Sequence, residues 1–140
     1  MLINLANKIE EIEIVHQKLQ AYLSGKSIDE DDSKKISITA DEILSNIIYY
    51  GFEDQLEHRI SLQLTVTDQT IILEFIDDGK YFNPLEYIQQ NNYILQEDKA
   101  GGLGLGLVYK LAKSMYYNRI ENKNKLTLSI PYQLSNAITE

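Results

Sequence analysis

Residues 59–79, RISLQLTVTDQTIILEFIDDG, change the hydrophobic period of the chain, and that change limits the folds open to it. Ile60, Leu62, Leu64 and Val66 alternate with polar neighbours, a short turn follows at 67–69, and a second apolar run ends in Asp77, Asp78 and Gly79. Alternation with period two places one set of side chains on one face, so the stretch reads as a β-hairpin resting that face on a core.

On either side the period is helical. Ile9, Ile12, Val15, Leu19 and Tyr22/Leu23 keep helical spacing and Gly25 stands at a natural stop, which predicts a helix over 9–23. Ile36, Ala40, Ile43, Leu44, Ile47 and Ile48 predict a second over 33–50, ending at Gly51. The acidic run IDEDD at 28–32 reads as a solvated connection or as that helix's N-terminus, where carboxylates suit the dipole. Residues 79–100, with Pro84 and many Asn and Gln, predict a long loop carrying one short helix near 85–90. Leu107, Val108, Leu111 and Met115 predict a helix over 103–116, and SMYYNRIENKNKLTLSIPY a final hairpin turning at 121–124. The order helix, helix, strand, strand, loop, helix, strand, strand implies an α+β, two-layer α/β sandwich, with helices on one face of a mixed, mostly antiparallel sheet.

A chain of 140 residues that is 44% hydrophobic can bury a core as one domain, residues 1–140. With no cysteine it can build neither disulfides nor a thiolate zinc site. No stretch approaches the roughly 20 apolar residues of a membrane span, and the N-terminus lacks a leader pattern, so the expected location is cytoplasmic. The net charge of −8 opposes attraction to nucleic acid or anionic membrane surfaces, while leaving room for a small nucleotide that brings its own magnesium.

Three short stretches could carry chemistry. In DEILSN, Glu42 and Asn46 are four positions apart and share a helix face beside the apolar stripe. EFIDDG ends a strand in Asp77, whose carboxylate could accept from an exocyclic amine such as that of adenine, with Gly79 leaving room for a flat ring. In GGLGLGL, Gly102, Gly104 and Gly106 clear side chains from a helix start, where free backbone N–H groups favour phosphate. Each has a plainer reading on its own: a polar helix flank, a strand-end turn, a flexible hinge. Neither the G-x-G-x-x-G spacing counted from Gly102 nor a Walker A sequence is present.

Their order adds what each lacks alone: a helical E-x-x-x-N, a strand-end D-x-G, a long loop, then G-x-G before a helix. That set resembles the GHKL ATPases, with their N box, G1 box, ATP lid and G2 box. Within that superfamily the chain looks like the anti-sigma-factor serine/threonine kinases, through ADEILSNIIYYGFED (40–54), DDGKYFNPLE (77–86) and GGLGLGLVYKL (101–111). The resemblance covers nearly the whole chain and implies the Bergerat ATP-binding fold.

Carried onto this sequence, the resemblance makes Glu42 the general base and Asn46 the ligand of a magnesium ion bridging the ATP phosphates. It makes Asp77 the acceptor for the adenine amino group, with Gly79 giving the base room. Gly102, Leu103, Gly104, Leu105 and Gly106 then wrap the phosphates with main-chain N–H groups. It implies a kinase that phosphorylates a STAS-type antagonist protein and also binds a sigma factor, with no nucleic-acid or membrane contact, and it allows a homodimer through an exposed apolar helix face.

Two alternatives share these motifs: a non-catalytic module that binds a partner under ATP control, and the catalytic domain of a histidine kinase. Against the second, His16 lies in IVHQKLQ, without the acidic neighbour and downstream proline of a phosphoacceptor box, and reads as a helix-boundary residue. His58 reads as a loop residue. The chain departs from the family pattern at Tyr50, where relatives often carry histidine, and in NKNKLTL, which lacks a Gly-Thr and leaves Thr127 as the candidate substitute near adenine.

Overall fold

In a computed structural model, which describes residues 1–90 and 104–135, the hairpin and both leading helices form where their periods place them. The elements are β1 (Leu2–Ala6), α1 (Glu11–Gly25), α2 (Glu30–Tyr50), β2 (Arg59–Val66), β3 (Thr70–Asp77), α3 (Pro84–Gln90), α4 (Leu105–Leu111), β4 (Ser114–Ile120) and β5 (Lys123–Pro131). The five strands form one sheet in the order β1-β2-β3-β5-β4. Every described pairing is antiparallel, so the mixed sheet expected from the sequence is corrected to an antiparallel one.

Register explains the core. Leu5 lies opposite Ile60, Leu62 opposite Phe75, Leu64 opposite Leu73, and Phe75 opposite Leu126, so the alternating apolar residues of four strands share one face. α1 and α2 cover that face with Val15, Leu19, Leu23, Ile36, Ala40, Ile43 and Leu44, all buried. Each Val, Leu or Ile among them contributes about 1.5–3 kcal/mol on removal from water. The opposite face, with Glu74 paired to Lys125 at 3.3 Å, carries mainly polar residues. The result is the two-layer α+β sandwich expected.

Asp29 caps α2 by accepting from the Asp31 and Asp32 N–H groups, so the acidic run 28–32 is indeed a helix N-terminus. Three expectations need correction. β1 was absent from them: five residues carry too little pattern, and the strand forms by pairing with β2. The helix expected over 103–116 ends at Leu111, because Ala112 is extended and residues 114–120 pair with β5, taking Met115 into the sheet. The last turn occupies only Glu121 and Asn122, which frees Asn124 to join β5.

Glu121 and Asn122 have φ values of 52° and 62°. Positive φ at both central residues marks a type I′ hairpin turn, which favours Asn-Gly. Replacing Glu121→Asn together with Asn122→Gly is expected to stabilise the fold by about 1 kcal/mol. Urea unfolding checks this; an unchanged midpoint would show that the turn carries no strain.

Candidate active site

α2 crosses the sheet and ends beside the C-terminal end of β3, leaving a cavity of about 400 Å3. Its wall combines Ile43, Phe75, Phe82, Tyr87 and Tyr117 with a few polar groups, among them Asn46, Asp77 and Asn124. An apolar and aromatic slot with sparse convergent polar atoms suits a flat heteroaromatic ligand.

Asn46 comes from the α2 face next to the sheet-packing stripe. Its amide nitrogen is buried and has no hydrogen-bond partner among the described residues. Such an orphaned polar atom costs roughly 1–3 kcal/mol, so the side chain stands ready for a ligand or ion. Turning the amide over would offer its oxygen instead.

Glu42 lies one turn earlier on the same helix, half-buried. Burial, and next the charge of Asp41, raise its pKa above the ordinary 4.5. Gly104, the residue before α4, has a φ of 71° and lies so close that any Cβ there would collide with the Glu42 carboxylate. Its neighbour Leu105 is fully buried and lines the cavity. The helical acid and the glycine segment, far apart in sequence, therefore meet. Gly106 is buried in α4; Gly102 and Leu103 lie outside the described residues.

Asp77 ends the inward-facing row of β3 and is 5% exposed. Burial raises its pKa above the ordinary carboxylate value, outweighing the hydrogen bonds from Asn124 and the Gly79 N–H that pull it down. Gly79 donates to Asp77 Oδ1 at 2.8 Å. The space left by its missing side chain is taken by protein: a Cβ there would stand 2.5 Å from the Gly51 carbonyl oxygen and 2.9 Å from Asp77 Oδ1. Gly79 thus lets the segment after β3 lie against the end of α2, where Lys80 N–H donates to the Gly51 carbonyl at 2.9 Å.

Thr127, the expected substitute near adenine, pairs with Glu74 on the outer face, away from the cavity. The residue opposite Asp77 is Asn124, 7% exposed, which sequence reasoning missed because it placed the turn over 121–124. Counting inward positions back from Ile130, Leu128 and Leu126 would have found it. Tyr50, the first departure, also borders the cavity.

Both histidines lie where expected. His16 is a half-exposed boundary residue of α1, its Nδ1 3.5 Å from Asp41 Oδ2 on α2. His58 occupies the loop before β2, stacked on Phe52 and held between Asp54 at 2.8 Å and Asp78 at 3.1 Å. Among the described residues no cluster of three or more His, Cys, Asp or Glu side chains could hold a metal, and no helix is long and apolar enough to cross a membrane.

An antiparallel sheet covered by helices on one face, with a helical amide and a strand-end aspartate lining one cavity, is the architecture of an ATPase domain of the GHKL kind. The sequence model of the histidine kinase-like ATPase domain family matches residues 5–130, and the chain belongs to that family. The serine/threonine-protein kinase BtrW of Bordetella bronchiseptica is 28% identical over 95 residues, covering 67% of each chain. The crystal structure of the RsbU and RsbW domains of a Mycobacterium tuberculosis protein shares the fold, with a TM-score of 0.63 at 14% identity over 99% of this chain. The chain spans about a third of that protein's length, the covered share being 35%.

The raised pKa of Glu42 gives a signed stability prediction. A carboxyl group whose folded pKa exceeds its unfolded value loses stability as pH rises through the folded pKa, because the charged form is less well solvated once folded. Glu42→Gln, neutral throughout, is expected to melt higher than the wild type at neutral pH, with the difference closing below about pH 4. Calorimetric melting across that range checks it; equal melting temperatures at neutral pH would show that the carboxylate is not strained by burial.

Proposed function

We propose that this domain, residues 1–140, is an ATP- and magnesium-dependent serine/threonine protein kinase acting as an anti-sigma factor on a STAS-type antagonist protein. The observation that carries the reading is the convergence of Asn46 and Asp77 on one cavity, with Glu42 one turn from Asn46 and pressed against Gly104. Likeness to a named serine/threonine kinase supports the choice of hydroxyl acceptor.

In this reading Asp77 accepts the adenine amino group while Phe75, Phe82 and Tyr117 flank the ring. The main chain of Gly102 to Gly106 holds the phosphates. Asn46, with its amide turned so that the oxygen takes the place of the unpaired nitrogen, would hold magnesium, which supplies neutralisation of phosphate charge when bound with ATP. Glu42 takes the proton from the incoming serine hydroxyl; its burial raises its basicity for that step. Gly79 serves by closing the α2 end against the strand end rather than by facing the base.

Calorimetric titration with ATP, with and without magnesium, is expected to show binding that Asp77→Asn weakens by about tenfold or more. With a candidate STAS-domain protein and labelled ATP, the wild type is expected to transfer phosphate and Glu42→Gln to lose at least about 100-fold in rate while still binding nucleotide. Binding without transfer to any such partner would favour an ATP-gated binding module instead. Transfer at an equal rate by the variant would remove Glu42 from its role.

A further inference from the structure

Three pieces of chain meet on His58, in the loop between α2 and β2. Its N–H donates to Asn7 Oδ1 at 2.8 Å and its carbonyl accepts from the Asn7 N–H at 3.0 Å, which ties it to the end of β1. Its ring stacks on Phe52, with centroids 4.3 Å apart and planes 17° from parallel. Nε2 lies 2.8 Å from Asp54 Oδ1 and Nδ1 lies 3.1 Å from Asp78 Oδ1, so the imidazole spans from the loop after α2 to the residue that follows Asp77. His58, Asp54 and Asp78 line a second, open cleft that shares Gly51 and Lys80 with the main cavity.

These contacts determine the charge of the ring. A carboxylate only accepts, and a neutral imidazole has a single N–H, so a ring that donates at both ends carries both protons. The hydrogen bond to Asp54 first, then the charges of Asp54 and Asp78, raise the pKa of His58 above the ordinary 6.5 against the effect of burial. The other charged groups of these segments are engaged elsewhere: Glu53 pairs with Lys80 at 3.2 Å, and Glu57 with Lys8 at 3.2 Å and Arg59 at 3.9 Å.

We propose that His58 is a positioning residue for nucleotide binding: as an imidazolium it latches the loop after α2 to the end of β3, and loss of its proton releases the strand end that carries Asp77. The proposal rests on the nucleotide reading above and goes beyond it in making the site sensitive to pH through a residue outside the cavity wall. Deprotonation turns a ring lone pair toward a carboxylate oxygen, so one of the two bridges becomes repulsive. Asp54 and Asp78 then stand on either side of the ring with no cation between them. The repulsion acts on Asp78, one peptide from Asp77, and on the loop that starts at Gly51, whose carbonyl holds the Lys80 N–H at 2.9 Å. The charged latch also cancels negative charge beside a site for an anionic ligand. A group with a raised folded pKa contributes stability that is fully present below its unfolded value and fades as pH rises through the folded one. Nucleotide affinity follows the same sign, because the latched strand end is the one that binds.

The test titrates the full chain calorimetrically with ATP and magnesium from about pH 6 to about pH 9, a range that brackets imidazole titration. The wild type is compared with His58→Gln, which cannot carry the charge, and with Asp54→Asn, which removes one acceptor; far-UV circular dichroism establishes that each is folded. Affinities are taken relative to His58→Gln at each pH, which cancels the protonation of the nucleotide itself. The wild-type advantage is expected to shrink at least about fivefold across the range, and that of Asp54→Asn to shrink at lower pH. Coupling is reciprocal, so saturating ATP is expected to raise the proton affinity of the His58 ring at least about fivefold, read from its NMR titration. That measurement uses the wild type alone and decides the matter if His58→Gln does not fold. A purely structural role would weaken binding equally at every pH and leave the ring's titration unmoved by ATP. Either of those results overturns the proposal and leaves the nucleotide reading standing. A wild type that binds ATP at no pH in the range overturns both.

Discussion

The packing of α2 onto the sheet sets the rest of the site. Ile36, Ala40, Ile43 and Leu44 are buried against strands whose facing residues are buried as well, and the loss of apolar surface fixes the helix in rotation about its own axis. With that stripe held inward, positions 42 and 46 can only lie beside it, at the boundary between core and cavity. A rotation large enough to expose either carboxylate or amide fully would pull several aliphatic side chains into water. The placement of Glu42 and Asn46 therefore derives its rigidity from the apolar stripe beside them.

The sheet solves the matching problem from the other side. Inward rows of β3 and β5 run apolar until their last opposed positions, where Asp77 faces Asn124. Burying a carboxylate is costly, and here two N–H donors on one oxygen offset much of the loss. Burial raises the pKa of both carboxyl groups, and Glu42 has the charge of Asp41 beside it to push the same way, which costs stability at neutral pH and yields a stronger base.

Much of this was legible in the sequence where pattern alone decides. The helices at α1 and α2 and the β2–β3 hairpin follow from periods of 3.6 and 2, and the strand-end Asp77 and the helical pair Glu42 and Asn46 could be read from spacing. What pairing decides was not legible. β1 exists because β2 offers it an edge, Met115 leaves a helical pattern because β5 offers Ser114–Ile120 a partner, and Asn124 enters the site through a two-residue turn whose shortness only the register reveals. Gly79 shows a third limit: its spacing suggested room for a ligand, while the space is filled by the Gly51 carbonyl, a contact between backbone segments with no sequence period to announce it.

That Gly79–Gly51 approach joins the two halves of the site into one object. The Lys80 N–H binds the Gly51 carbonyl just past the last turn of α2, and the Asn124 amide holds the Lys80 carbonyl on the other side of the same residue. Lys80 is thus fixed through both its backbone groups, one to the helix and one to the sheet. A side chain at position 79 would drive the segment away from α2 and, through Lys80, tilt the amide that holds Asp77. Asp77 and the helix bearing Glu42 are in register because a single glycine lets two stretches of backbone meet.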